Sequence, residues 1–201
     1  MGLRLGIMGG TFDPIHNAHL LKADVVARSL GLDAVVFIPA GQPWHKNMAE
    51  VSSAADRYAM TVIATATDPR FSVSRVEIDR GGPTYTVDTF QELRRVLGEQ
   101  VELFLIAGAD VLKGILTWRE ARLLPELTNF VFCSRPGHRL LAVGLPPERV
   151  TLLHVPERGI SSTSIRRRVG CGEPIRHLVP AAVADYIECR GLYRPDRLPV
   201  T

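Results

Sequence analysis

The chain has 201 residues, of which 46% are hydrophobic, 22% charged and 6% aromatic. A chain of this length and composition can bury a core without disulfides or metal ions, which argues against global disorder. The formal net charge of +3 suits an anionic ligand but is too small to indicate a nucleic-acid partner by itself.

Neither a membrane span nor an export signal is visible in the sequence. The longest apolar stretches, such as Ala34 to Ile38, are far shorter than the ~20 residues that a transmembrane helix needs. The N-terminal letters MGLRLGIMGG contain no apolar signal-peptide region. Three widely spaced cysteines without a CxxC pair indicate neither a disulfide framework nor a zinc site. We therefore expect a cytoplasmic protein with no membrane partner.

Short β-branched runs alternate with longer amphipathic segments along the chain. This alternation predicts an α/β fold that is Rossmann-like and doubly wound, with a mostly parallel sheet and helices on both faces. The predicted elements are, in chain order, strand Leu3–Met8, helix Asn17–Leu30, strand Ala34–Pro39, helix Ala54–Thr67, strand Phe71–Arg75, helix Thr86–Leu97, strands Val101–Ala107, Asn129–Ser134 and Val150–Val155, and helices Ser162–Val169 and Ala181–Cys189.

Two of the predicted helices have an apolar face that can pack on the sheet. In the helix that begins at Asn17, the residues available for that face are Leu20, Leu21, Val25 and Leu30. In the helix that begins at Thr86, they are Val87, Phe90, Leu93 and Leu97.

A glycine pair and two histidines lie between the first predicted strand and the first predicted helix. In open α/β sheets, ligands bind beyond the carboxyl ends of the strands, where this segment falls. Gly9 and Gly10 allow backbone amides to approach a phosphate closely, and the following helix N-terminus favours negative charge. His16 and His19 are three residues apart and can donate hydrogen bonds to one phosphate group. The alternatives are a helix cap, solvent-facing rings, or a zinc site for which no third ligand is evident.

A second candidate phosphate segment lies near the other end of the chain. Ser161 or Ser162 is a natural N-cap for the helix that follows, and its free N–H groups and hydroxyls suit a polyphosphate. Arg166 lies one turn into the helix and can offer a bidentate guanidinium. A plain capped helix with a solvated basic face is the alternative, and it is the interpretation that we give to Arg167 and Arg168.

Together the two segments resemble the signatures of the HxGH nucleotidyltransferase superfamily. The first signature corresponds to His16-Asn17-Ala18-His19, with Ala18 where the family has Gly. The second, ISSTxIR, is matched by residues 160–166. Neither a Walker A sequence nor a GxGxxG sequence occurs in the chain.

Features between these signatures are similar to those of bacterial nicotinate-nucleotide adenylyltransferases. The features are a Tyr-Thr-x-Asp-Thr segment at 85–89, a Gly-Ala-Asp segment at 108–110, and Trp118. The resemblance extends from about Leu5 to Tyr193. It implies a single nucleotidyltransferase domain over residues 1–201, in which a C-terminal helical part at about 160–193 completes the ATP site.

The resemblance implies transfer of the adenylyl group of ATP to nicotinate mononucleotide, with release of pyrophosphate. It implies Mg²⁺ as the cofactor, held mainly by the phosphates rather than by a protein cage. The expected catalytic residues are His16, His19 and Arg166. The expected ATP-binding residues are these three with Gly9, Gly10, Thr11, Phe12, Gly108, Asp110, Ile160, Ser161, Ser162 and Thr163.

The acceptor side of the implied site has its own set of residues. Trp118 is expected to stack on the nicotinate ring, although a Trp in this segment could equally be a core residue. Asp110, assigned to the ribose of ATP, could also be a helix N-cap. The expected residues for nicotinate mononucleotide are Lys46, Tyr85, Thr86, Trp118 and Arg135. The individual roles of Trp44, His45 and Asp88 stay open.

Three other functions are compatible with parts of the sequence. An adenylyltransferase for phosphopantetheine or a cytidylyltransferase would share the fold and the end signatures. A nucleotide-binding protein without catalysis would also share them. Nucleic-acid binding through residues 166–168 is a third alternative, which our interpretation does not favour. Assembly into homo-oligomers is left open.

Overall fold

The computed structural model describes residues 2–43, 46–112, 114–134, 144–156 and 159–194. Six strands of these segments form one sheet: β1 (Arg4–Gly10), β2 (Ala34–Pro39), β3 (Phe71–Val73), β4 (Glu102–Gly108), β5 (Asn129–Ser134) and β6 (Val150–His154). The strand order is β3-β2-β1-β4-β5-β6, and every pairing is parallel. This order is that of the doubly wound Rossmann fold and confirms the predicted fold class.

Helices connect the strands and cover the sheet on both faces. The α-helices within the described residues are α1 (Asn17–Leu30), α2 (Ala54–Thr65), α3 (Val76–Arg80), α4 (Thr86–Leu97), α5 (Ala109–Leu112), α6 (Leu124–Leu127), α7 (Ser162–Gly170) and α8 (Ala181–Cys189). None of the helices found in this part of the chain has the length and apolar character needed to span a membrane.

Two hydrophobic cores form because side chains alternate between the faces of each strand. In β1, Met8 belongs to the core beneath α1, α2, α7 and α8, whereas Ile7 belongs to the core beneath α4 and α6. The C-terminal helices pack in the first of these cores through Ile165 and Val183, together with sheet residues. Residues from both ends of the chain thus share one core.

The apolar face of α1 differs in detail from the prediction. Its buried stripe consists of Ala23, Val26 and Ala27, at i, i+3 and i+4. The larger side chains Leu20 and Leu21 are only partly buried beside it. The small residues face the sheet because they let the helix axis approach closely, and the leucines fill the flanks. In α4, Val87 and Phe90 are buried and Leu93 and Leu97 partly buried, as the pattern predicts.

The end of β1 was placed too early by the sequence pattern. Gly9 and Gly10 are the last residues of the strand rather than part of a turn, because they pair in register with Ile38 and Pro39 of β2. A Cβ built on Gly9 would meet no atom within 4 Å, so this strand end faces open space. Gly9 therefore leaves room at the strand end, whereas a Cβ on Gly10 would lie 3.0 Å from the Phe12 ring.

The region after β2 also differs from the prediction. β3 ends at Val73, and the short helix α3, which the sequence pattern missed, follows it. The chain packs so tightly here that a Cβ on Gly41 would collide with the carbonyl oxygen of Glu77. Gly41 is therefore needed for the close approach of the segment after β2 to α3.

Candidate active site

A cavity of about 600 Å³ opens at the carboxyl ends of β1 and β4. The chain order reverses between these neighbouring strands, and ligands of open α/β sheets bind at such a switch point. The cavity brings together eight of the residues predicted from the sequence: Gly9, Gly10, Thr11, His19, Tyr85, Thr86, Gly108 and Trp118.

The two histidines are held in a fixed relation at the start of α1. His16 is the N-cap residue, and its backbone N–H donates to Nδ1 of His19 over 3.2 Å. Because Nδ1 of His19 accepts this bond, the proton of the neutral ring is on Nε2. The rings stack with centroids 3.7 Å apart, and His19 lines the cavity. His16 is therefore the cap and His19 faces the cavity, so the two positions that the sequence left as alternatives occur on one helical turn.

Both histidine rings are neutral at pH 7 without a bound anion. Burial and the nearby Lys22 ammonium lower the pKa of His16 to about 4. Burial, followed by the effects of His16 and Lys22, lowers the pKa of His19 well below its usual value. Nδ1 of His16 is buried and has no hydrogen-bond partner in the described part of the chain. A polyanion bound here would favour the charged imidazoles and so oppose these effects.

Phe12 orients His19 from a backbone conformation that is rare for a bulky residue. Its φ is +52°, and its side chain is only 3% exposed. Its ring meets the His19 ring edge-on, with centroids 5.1 Å apart. A non-glycine residue with positive φ persists only where surrounding contacts hold it, and here the fixed side chain positions a ring of the cavity wall.

The second signature lies directly against the first. The hydroxyl of Ser162 donates to the carbonyl of Pro14 over 2.9 Å, and Nη1 of Arg166 donates to the carbonyl of Asp13 over 2.8 Å. Ser161 is the N-cap of α7 and accepts a hydrogen bond from the backbone of Ser164. The two chain ends thus form one surface around the histidine turn.

None of the residues of this signature is among those that line the cavity. Ile160 is partly buried against the core, and Thr163 is exposed on α7. Lys46 is exposed and is not among the residues that line the cavity. Desolvation and the Arg166 cation lower the pKa of Lys46, which indicates that its ammonium lies near the second signature.

A buried arginine fixes the backbone beneath the histidine turn. Arg57 of α2 is fully buried and donates to the carbonyls of Ser52, Thr11 and Gly41 over 3.0, 2.9 and 3.0 Å. The carboxylate of Asp13 accepts from the Tyr193 hydroxyl over 2.7 Å. Burial lowers the pKa of Arg57, and nearby Asp13 partly offsets that effect. The sequence pattern missed Arg57 because an arginine in an amphipathic helix usually lies in solvent.

The far wall of the cavity carries the residues assigned to the acceptor. Tyr85 is the N-cap of α4, and its side chain makes no capping hydrogen bond, so the first N–H groups of α4 are not capped by it. Trp118 is partly buried against the core and also lines the cavity. Trp118 therefore contacts the core and faces the cavity at the same time, and its stacking on the nicotinate ring stays a prediction. Two hydrogen bonds between Gln42 and Thr84 join the loops at the rim. The Thr84 N–H donates to the Gln42 carbonyl, and the Gln42 N–H donates to the Thr84 hydroxyl.

Three charged residues of the cavity wall were missed by the sequence analysis: Lys22, Glu77 and Arg119. Glu77 is 7% exposed and accepts from the Thr89 hydroxyl over 2.8 Å, and burial raises its pKa to about 7. Lys22 follows His19 by one helical turn, a spacing that could have revealed it. Arg119 is adjacent to Trp118, but no pattern in the sequence distinguishes it from a surface arginine.

Some predicted residues lie outside the described parts of the chain. Arg135, Trp44 and His45 are among them, so their roles remain predictions. The backbone of Asp110 lies in α5, directly beyond β4, and its side chain is outside the description.

No group of three or more His, Cys, Asp or Glu side chains capable of holding a metal occurs in the described segments. In the histidine pair, one ring nitrogen already accepts a backbone hydrogen bond and the rings stack face to face. The two rings therefore do not converge on a shared metal ion. This arrangement disfavours the zinc alternative for His16 and His19.

Comparison with known proteins extends the match over nearly the whole chain. Residues 7–168 match the family model described as "Cytidylyltransferase-like". A Streptomyces coelicolor protein named "Probable nicotinate-nucleotide adenylyltransferase" is 55% identical over 189 residues, which cover 94% of this chain and 100% of that protein. A protein of the same name from Acidothermus cellulolyticus is 52% identical, with 95% of this chain and 94% of that protein covered.

Solved structures show the same fold at low sequence identity. Plasmodium falciparum nicotinic acid mononucleotide adenylyltransferase complexed with NaAD has a TM-score of 0.80 at 19% identity, covering 95% of this chain and 97% of that chain. With its two signatures in contact and relatives above 50% identity that are covered over 94% or more of their length, the chain belongs to the cytidylyltransferase-like family and, within it, to the nicotinate-nucleotide adenylyltransferases.

Proposed function

We propose that the protein transfers the adenylyl group of ATP to nicotinate mononucleotide, giving nicotinate adenine dinucleotide and pyrophosphate in NAD biosynthesis. One observation carries the proposal. A single cavity has the histidine turn on one wall and the aromatic residues Tyr85 and Trp118 on the other. A phosphate site and a site for a flat ring are thus adjacent, as transfer between a nucleotide and a pyridine mononucleotide requires. The relatives' names point to the same reaction.

The reaction needs positioning more than proton transfer. The phosphate of the mononucleotide attacks the α-phosphorus of ATP in line, and this nucleophile is already an anion. The protein must therefore hold two polyanions together and stabilise the charge of the leaving pyrophosphate. These requirements match a cavity that is lined by His19 and Lys22 together with Tyr85 and Trp118.

On the ATP side, we assign the first contact to His19. Its Nε2–H is directed by the bond that Nδ1 accepts from the His16 backbone, so the donor is preorganised. Lys22 adds a cation on the same helix turn and lines the same cavity. Ser162 and Arg166, which are fastened to the histidine loop, are assigned to the β- and γ-phosphates. We propose that Mg²⁺ enters with ATP and is coordinated by phosphate oxygens and water.

On the acceptor side, we assign ring stacking to Trp118 and the edge of the ring to Tyr85 and Thr86. The first turn of α4 presents backbone N–H groups that Tyr85 does not cap. Such donors suit the nicotinate carboxylate. The two exposed free cysteines, Cys171 and Cys189, agree with the reducing cytoplasm that we propose as its location.

The test is pyrophosphate release from Mg²⁺–ATP with a panel of acceptors: nicotinate mononucleotide, nicotinamide mononucleotide, phosphopantetheine and a buffer control. We expect the highest kcat/KM with nicotinate mononucleotide. Best turnover with phosphopantetheine would contradict the proposal in favour of the other adenylyltransferase. ATP binding without pyrophosphate release for any acceptor would favour a nucleotide sensor.

A further inference from the structure

Arg119 is a charged group of the cavity that the proposed reaction has not yet used. It follows Trp118 and lines the cavity together with Tyr85 and Thr86. Its guanidinium carbon lies 4.8 Å from the centre of the Tyr85 ring, so the two planar groups are packed together. The cation is thus held at the end of the cavity that faces the acceptor ring.

Two acidic neighbours lie within ion-pair distance of Arg119 but do not form hydrogen bonds with it. Its Nη1 lies 3.9 Å from an oxygen of Asp88, and its Nε lies 3.7 Å from an oxygen of Glu120. Both distances exceed those of a charged hydrogen bond, which are about 2.7–2.9 Å. Within the described segments no hydrogen bond from the guanidinium occurs, so its donors are available to a ligand in the cavity.

The ligand that fits this arrangement is a planar anion attached to the acceptor ring. Asp88 belongs to the first turn of α4, so Arg119 faces the same turn whose N–H groups Tyr85 leaves uncapped. A ligand carboxylate between Arg119 and the first turn of α4 would accept hydrogen bonds from backbone N–H groups on one side and from the planar guanidinium on the other. An amide in the same place would bring no charge, and its NH₂ group would face donors only.

We infer that Arg119 is a specificity-determining residue that selects an acceptor with a ring carboxylate over the corresponding amide. The inference rests on the proposed function and deepens it. The two acceptors to compare, nicotinate and nicotinamide mononucleotide, share the ribose phosphate and differ at one ring substituent. A guanidinium that bound the phosphate would affect them equally, so their comparison isolates the carboxylate.

The experiment measures kcat/KM for both mononucleotides in the wild type and in Arg119→Gln, Arg119→Lys and Arg122→Gln. Arg122 is an exposed residue of the following one-turn helix Ala121–Leu123 and is the matched control. In Arg119→Gln we expect the ratio of acid to amide kcat/KM to fall about two- to fivefold, as suits a half-exposed ion pair. The loss should come from a higher KM for the acid, with KM for ATP unchanged.

Arg119→Lys keeps the positive charge but lacks the planar guanidinium. We expect its ratio of acid to amide kcat/KM to lie between those of the wild type and Arg119→Gln. Raising the salt concentration should increase KM for the acid more in the wild type than in Arg119→Gln. An unchanged ratio in Arg119→Gln, or an equal loss with both acceptors, would overturn the inference while leaving the proposed function standing. A wild-type protein inactive with both mononucleotides would instead refute the proposed function and the inference together.

Discussion

Replacing Arg57 by Met should destabilise the protein strongly, although Arg57 is not proposed to touch either substrate. The guanidinium is fully buried and donates to three backbone carbonyls, those of Ser52, Thr11 and Gly41. Met retains much of the volume and removes every donor. The buried carbonyl of Gly41 and the partly buried carbonyls of Ser52 and Thr11 lose their partner, and the buried Asp13 loses a compensating positive charge.

Removing one member of such a buried charged network costs about 3–5 kcal/mol in measured cases. We expect the free energy of unfolding to fall by about 4 kcal/mol. For a chain of this size, that loss corresponds to a decrease in Tm of about 8–16 °C. KM for ATP should also rise, because the carbonyl of Thr11 is no longer held and the histidine turn loses its support.

The assay is urea denaturation followed by circular dichroism, with steady-state kinetics on the same preparation. Arg28→Met is the matched control, since the Arg28 side chain is 73% exposed on α1 and its single ion pair should contribute under about 0.5 kcal/mol. A loss below about 1 kcal/mol in Arg57→Met would refute the reasoning. It would mean that the three carbonyls find water or other donors without cost.

Three further predictions concern the cavity. Burial raises the pKa of Glu77 from 4.5 to about 7, so the folded state binds this proton more tightly than the unfolded state does. The free energy of unfolding should therefore fall by about 3 kcal/mol through this residue as pH rises from about 4.5 to about 7. Glu77→Gln should remove that part of the pH dependence in urea titrations at pH 5 and pH 8, and an unchanged slope would show that Glu77 is not its source. His19→Ala should lower kcat by about 10²–10³-fold with little change in Tm, and near-normal kcat would contradict its phosphate role. Trp118→Ala should raise KM for nicotinate mononucleotide more than KM for ATP, whereas equal increases would indicate a core role alone.

The sequence predicted the elements whose signals are local. The bounds of α1, β2, α4, β5 and α8 agree with the pattern, because apolar periodicity and flanking Gly or Pro residues determine them. α3 was missed because five residues carry too little periodicity. Its conformation depends on tertiary contacts such as the Glu77–Thr89 hydrogen bond.

The site was predictable to the extent that its chemistry lies in contiguous segments. The histidine turn and the serine-rich helix start have recognisable spacings, and the structure places them in contact. That Tyr85 and Trp118 share a cavity came from the family resemblance, since residues 33 apart carry no local signal of contact. Arg57 and Glu77 could not be assigned, because their roles arise from burial and burial is a property of the assembled fold.

The contacts of Ser162 with Pro14 and of Arg166 with Asp13 connect residues 148 and 153 positions apart. A chain still being synthesised contains the histidine turn early but gains the Ser162 and Arg166 side chains that contact this turn only after α7 has been made. If the proposed roles of Ser162 and Arg166 hold, nascent and truncated forms that end before α7 should leave cellular ATP untouched.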